Sequence, residues 1–153
     1  MRHGLAIPML LMTLDLFTAC AGLQKEHYFV CPYDTVWQAA EESLKERSVI
    51  RKDKDRGVIE TAWTEMPAKP RGFGMFNREA FGNKERARLS VQVKPVEGVT
   101  KVSVVENRER WHARGGVTQQ AVKWSPVEPS EETMTSVLGR ITAKATQRGC
   151  GAP

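Results

Sequence analysis

Two runs, Glu85 to Val96 and Val99 to Trp111, constrain the fold more than any other feature of the chain. Ala87, Leu89, Val91 and Val93 alternate with Arg86, Arg88, Ser90, Gln92 and Lys94, the period of a strand with one apolar and one wet face. Pro95 to Gly98 turns the chain. Val99 to Trp111 then returns as an antiparallel partner, with Val102 and Val104 on one face and Val105 and Trp111 on the other. One wet face is ordinary for an antiparallel sheet, whose other face packs on the core.

Two amphipathic segments are available to cover that core. Asp34 has the character of an N-cap, and Val36, Trp37, Ala40 and Leu44 form an apolar stripe on a helix of about 13 residues ending near Arg47. Trp37 falls on the stripe and reads as a core anchor. Ser130 caps a second helix running to about Arg148, with Glu131 and Glu132 in its first turn and a stripe of Met134, Val137, Leu138, Ile141 and Ala145. Gly149 suits the position after its end.

The remaining strands are shorter. Glu26 to Cys31 is aromatic and β-branched and ends at Pro32, so it reads as a first strand, with His27 on its surface. Ser48 to Lys52 and Val58 to Glu65 flank the polar link Asp53 to Gly57 as a hairpin. Period two puts Ile59 and Trp63 on the inner face. Two stretches break the pattern. Met66 to Lys84 is rich in Gly and Pro, with Phe73, Met75, Phe76 and Phe81 among Arg71 and Arg78; it is either a flap over the core or an exposed patch. Ala113 to Pro129 surrounds Trp124, which either packs back on the core or stands exposed. The expected class is α+β, an antiparallel β-sheet of about four to five strands with two helices packed on one face.

Met1 to Cys20 has the layout of an export signal: Arg2, an apolar run from Leu5 to Leu14, then small residues before a cysteine. Leu16-Phe17-Thr18-Ala19-Cys20 resembles a bacterial lipobox, in which the cysteine is acylated and becomes the new N-terminus. The alternatives are ordinary cleavage after Ala19-Cys20-Ala21, releasing a soluble chain from Gly22, and an uncleaved anchor. The division expected is a signal over 1–20, a short linker over 21–27 and one domain over 28–150. No later stretch of roughly 18 residues is apolar enough to span a bilayer. With Cys20 lipidated, Cys31 and Cys150 remain as a candidate disulfide for an oxidising compartment, the alternative being two unpaired thiols.

The chain carries a net charge of +5. Its excess is concentrated between Lys69 and Lys94, where seven basic residues stand against two acidic ones. Outside the cell such a stretch points to anionic lipid head groups, lipopolysaccharide or an acidic protein surface, the alternative being a merely solvated basic face, and export argues against nucleic acid. Arg71, Phe73, Phe76, Arg78, Phe81, Arg86 and Arg88 are the candidate contacts. Nothing points to chemistry. His112 beside Trp111 has no nucleophile to serve, the three histidines are scattered, and no C-x-x-C offers metal ligands. No cofactor is expected.

Tyr33-Asp34-x-x-Trp37 opening a helix, then Asp55-Arg56-Gly57-Val58-Ile59-Glu60-Thr61-Ala62-Trp63, Arg86-x-Arg88-x-x-Val91 and a terminal amphipathic helix together resemble the helix-grip domains of BamC-like (NlpB-type) outer-membrane lipoproteins. The resemblance spans roughly 28–148 and implies a curved antiparallel sheet wrapped on helices. It also implies lipid attachment and an outer-membrane address facing the periplasm, since Ala21 is not the Asp that retains such proteins in the inner membrane. BamC-like proteins carry two such domains after a long N-terminal segment, where this chain shows one. The function expected is a noncatalytic envelope lipoprotein, an accessory or scaffold in outer-membrane assembly. The alternative is a periplasmic binder of a lipid or hydrophobic small molecule, with Trp37, Trp63 and the Phe73–Phe81 loop lining its cavity.

Overall fold

The computed structural model describes residues 23–68, 84–111 and 124–151. In chain order the elements are β1 (Gln24–Phe29), α1 (Tyr33–Ser43), β2 (Val49–Asp53), β3 (Val58–Thr61), β4 (Thr64–Pro67), β5 (Lys84–Val96), β6 (Val99–Trp111), β7 (Trp124–Val127) and α2 (Glu131–Gln147). All the strands join one antiparallel sheet in the order β1-β6-β5-β3-β2, with β4 also on β5 and β7 also on β6. The long hairpin forms as its alternation requires, paired from Lys84 and Trp111 to Val96 and Val99. Each long strand is flanked by two short ones end to end. On β5 these are β3 and β4, and on β6 they are β1 and β7.

The α+β class and the helix-grip-like arrangement hold, with seven strands among the described residues instead of four or five. One additional strand is β7, inside the stretch read as irregular. The other comes from a break in the run read as one strand over 58–65. Ile59 sits opposite Val91, and Leu89 donates its backbone N–H to the Thr61 hydroxyl at 3.0 Å. Thr64 then sits opposite Ala87. Ala62 and Trp63 therefore span an interval that β5 covers with Arg88 alone, which is a β-bulge. The additional residue reverses the phase, so Trp63 faces away from the core while Ile59 and Thr61 are buried. The expectation that Trp63 shares an inner face with Ile59 is corrected on that ground.

Both helices cover the inner face. Phe29, Val36, Trp37, Leu44, Ile59, Leu89, Val91, Val93, Val102, Val104, Met134, Val137 and Ile141 form one buried cluster. Burying each such large side chain contributes roughly 1.5–3 kcal/mol. Trp37 is the core anchor expected of it. The first helix starts one residue before Asp34: the Pro32 carbonyl accepts from Thr35 and Val36 N–H at 3.1 and 3.3 Å. Proline at this position has φ already near helical values. Asp34 lies in the first turn and reaches Lys54 Nζ at 2.8 Å. The helix ends at Ser43, short of Arg47, and Leu44 closes it. The first strand begins at Gln24, before the domain start expected at residue 28.

The second helix is capped as read, with Ser130 Oγ accepting from Thr133 N–H at 3.3 Å. Its C-terminus closes as a Schellman motif: Gly149, at φ 86°, donates to Thr146, and Cys150 donates to Ala145. That turn carries Cys150 back into the core, where it is bonded to Cys31 with a Cα separation of 5.2 Å. The bond ties the end of β1 to the end of α2. β2 is an edge strand among the described residues, with Ile50 64% exposed. A bulge between Val49 and Arg51, and the charges of Arg51 and Lys52, guard that edge against further strand pairing.

Candidate binding surface on the outer face of the sheet

The half of the β5–β6 ribbon farthest from the disulfide carries the polar and aromatic chemistry of the described chain. Its two faces differ. Outward-pointing residues of β5 at this end are Lys84, Arg86 and Arg88, and the bulge and β7 bring Trp63 and Trp124 to either side of them. The Arg86 guanidinium carbon lies 4.5 Å from the Trp63 ring centre and 4.3 Å from that of Trp124. Arg88 lies 4.9 Å from Trp63, and Lys84 Nζ lies 5.4 Å from Trp124. Trp111, paired with Trp124 across β6 and β7, adds a third ring at 5.5 Å from it. Cations alternating with indole faces hold one another in place electrostatically and by stacking.

Carboxylates neutralise part of this ladder. Arg86 forms a two-point pair with Glu109, Nη2 at 2.6 Å and Nε at 2.7 Å from the same oxygen. Lys84 pairs with Glu65 at 2.6 Å. Arg88 has no carboxylate partner among the described residues, so its charge is the one the ladder presents. Pro67 and Lys84, which bracket residues 69–83 in sequence, pair at this same end of the sheet. Two of the seven expected contacts, Arg86 and Arg88, are thus brought together, along with Trp63, expected in the lining of a ligand cavity, and with Trp111 and Trp124, which the sequence does not assign to a site. Arg71, Phe73, Phe76, Arg78 and Phe81 lie outside the described residues, as does Cys20.

The inner face at this end carries a buried ionic network. Arg108 donates from Nε and Nη2 to the two oxygens of Glu106 at 3.1 and 3.2 Å, and from Nη1 to Glu85 at 3.0 Å. Arg110 Nε donates to the other oxygen of Glu85 at 3.0 Å. Glu106 also accepts the backbone N–H of Ser130, which fixes the start of α2 on β6. Side chains of Glu106 and Glu85 are 1% and 4% exposed. Burial opposes the charge of Glu85, but hydrogen bonds and charge from Arg110 and then Arg108 outweigh it and hold the carboxyl below its usual range. Burial likewise opposes the charge of Arg108, and Glu106 and then Glu85 reverse the effect. A signal for this network existed in the sequence. Continuing the phase of Val102 and Val104 puts Glu106, Arg108 and Arg110 inward, and continuing that of Leu89 and Ala87 does the same for Glu85.

Trp37 and Trp63, expected to line one cavity, lie on opposite sides of the sheet: Trp37 is buried under α1 and Trp63 stacks on the outer arginines. Among the described residues no cluster of His, Cys, Asp and Glu could hold a metal ion, and no helix is long and apolar enough to cross a membrane. No family model matches the chain, and no curated protein matches it either. Among solved structures it is similar to the protein described as "Crystal structure of Ara h 8.0201", at 9% identity and a TM-score of 0.36, over 82% of this chain and 95% of that one.

Proposed function

We propose that this protein is a noncatalytic envelope lipoprotein, anchored in the outer membrane through acylated Cys20 and facing the periplasm. It acts as an accessory in envelope or outer-membrane protein assembly by binding an acidic partner surface with the outer face of its sheet. The observation that carries this reading is the ladder in which Arg86 lies between Trp63 and Trp124 with Arg88 beside it. Rigid indole faces supply contact area, held arginines supply orientation, and the pair is the residue combination favoured at recognition surfaces. Pro67 and Lys84 pair beside the ladder, and the basic, aromatic stretch 69–83 lies between them in sequence, so the local excess of positive charge is continuous with the ladder in sequence. The joined Cys31 and Cys150 suit an oxidising compartment, in keeping with the signal layout of Met1 to Cys20 and the resemblance to BamC-like lipoproteins.

The test is a mild-detergent pull-down of the full-length protein from its native envelope beside an Arg86→Glu/Arg88→Glu variant. Outer-membrane assembly proteins are expected with the parent and not with the variant. Equal recovery from both would remove the ladder from the interface, and recovery of the lipoprotein alone would overturn the accessory role. Labelled fatty acid should enter the parent and not Cys20→Ser.

A further inference from the structure

A second concentration of positive charge lies away from the outer ladder, in a groove of about 360 Å³ between α1 and β2, the strand at the edge of the sheet. Lys45 and Arg47 line it from the segment that follows α1, and Arg51 and Lys52 from β2. Among the described residues of the lining Glu41 is the one acid, and it already pairs with Lys52 across the groove. Arg51 has only loose contacts, at 3.7 Å each, to Asp53 and Glu60. Lys45 and Arg47 have no carboxylate within ion-pair distance among the described residues.

The C-terminal end of a helix favours positive charge, which accounts for Lys45 and Arg47 following α1. It does not account for what lies beside them. Val49 and Ile50 line the same groove and are 39% and 64% exposed. Ile59 joins the groove to the buried core. A single exposed aliphatic residue is ordinary, whereas adjacent ones rimmed by charge mark a contact surface. β2 pairs on one side only among the described residues, so its other edge keeps backbone donors and acceptors. The bulge between Val49 and Arg51 prevents a long ladder there, and Arg51 and Lys52 repel a second basic strand. A short acidic segment meets neither obstacle beyond the bulge. It can use the cations, the aliphatic pair and the strand edge together, where a lipid head group would leave the edge unused.

We propose that the α1–β2 groove binds an extended segment of a partner protein in which acidic and apolar residues alternate, the acids meeting Lys45 and Arg47 and the apolar side chains meeting Val49 and Ile50. The groove is lined from the helix side of the sheet and the ladder lies on the outer face, so either surface can fail without the other. The test is fluorescence anisotropy with the full-length protein in nonionic detergent. The probe is a fluorescein-labelled peptide of alternating glutamate and valine, about six residues long, the length of a common strand. Saturable binding is expected, weakened at least tenfold when glutamine replaces glutamate or serine replaces valine in the peptide. Lys45→Glu/Arg47→Glu should abolish it, and Ile50→Ser, at an exposed position, should weaken it at least fivefold. Should the charge-reversed variant fold poorly, Lys45→Gln/Arg47→Gln carries the same test with an expected loss of at least tenfold. Arg86→Glu/Arg88→Glu should bind as the parent does. Full binding by the Lys45 and Arg47 variants, or loss of binding in the Arg86 and Arg88 variant, would overturn the groove as the site. Displacement of the probe by dihexanoyl phosphatidylglycerol at lower concentration than by unlabelled peptide would assign the groove to an anionic lipid and overturn the peptide.

Discussion

Trp63 and Arg86 stack at 4.5 Å on the face of the sheet turned away from the helices, and they meet only because a bulge at Ala62 reverses the phase of the strand between Thr61 and Thr64. An exposed cation–ring contact contributes about 0.5–1 kcal/mol, and more where it is partly desolvated. A double-mutant cycle of Trp63→Ala and Arg86→Ala in chemical unfolding should therefore return a coupling of about 1 kcal/mol. Trp63→Ala should also weaken partner recovery through looser Arg88, although Arg88 keeps its charge. Full recovery by Trp63→Ala would show that the indole has no part in presenting that arginine.

Glu85 gives the fold an acid limit. Its folded pKa lies below its ordinary value of 4.5, so its contribution is fully present above that pH and is lost as pH falls through the lower, folded value. Stability of the parent should decline from about pH 4.5 downward, and Glu85→Gln should flatten that part of the profile. At neutral pH the same substitution removes the buried charge that Arg108 and Arg110 share while Arg108 keeps Glu106, and it should cost about 3–5 kcal/mol. Unfolding curves from pH 3 to 7, roughly spanning the carboxylate range, test both. A parallel decline in parent and variant would place the acid limit elsewhere.

Strict alternation made the β5–β6 hairpin and its two faces legible, and the 3.6-residue stripes did the same for α1, α2 and Trp37. What escaped was set by pairing between distant segments. No residue in 58–65 announces the bulge: it exists because β4 pairs with Glu85 to Ala87 at a register one residue out from that of β3. Trp124 joins the ladder because Trp111 lies opposite it across β6 and β7, a relationship invisible in the Gly- and Pro-rich stretch around it. The buried ionic network is within reach of the period-two rule, but Glu and Arg are rarely placed inward unless paired, and the pairing is not visible in one strand. Cysteine counting offers the Cys31–Cys150 bond beside two unpaired thiols, while the Schellman turn that delivers Cys150 is set by the backbone.

Gly57 is a point where the hairpin turn touches β5. Its φ is +67°, its carbonyl accepts from Val93 N–H at 2.8 Å, and a Cβ placed on it would lie 2.0 Å from the Val93 carbonyl oxygen. Substitution with alanine combines an unfavourable backbone region with a clash against backbone that cannot swing aside. Gly57→Ala should cost more than about 1 kcal/mol, beyond the penalty for positive φ alone. Amide exchange should quicken at Val93, whose donor depends on this contact. An unchanged midpoint in urea would mean that the turn can lift off β5 at little cost.

The Cys31–Cys150 bond closes a span of 119 residues and joins the strand at one end of the described chain to the helix at the other. Reduction frees the ends without removing the Schellman turn, because Cys150 N–H still donates to Ala145. The chain-entropy model places the loss at about 4–5 kcal/mol for so long a loop, and measured losses for native bonds run from about 2 to 5. Cys31→Ser/Cys150→Ser should fall in that range by urea unfolding. The same loss should follow from adding reductant to the parent, and the double variant should be indifferent to it. If reductant leaves the parent unchanged, the two cysteines are not bonded in the protein, and β1 is held by its ladder on β6, the Lys25–Glu131 ion pair and the Val30–Gly151 bridge.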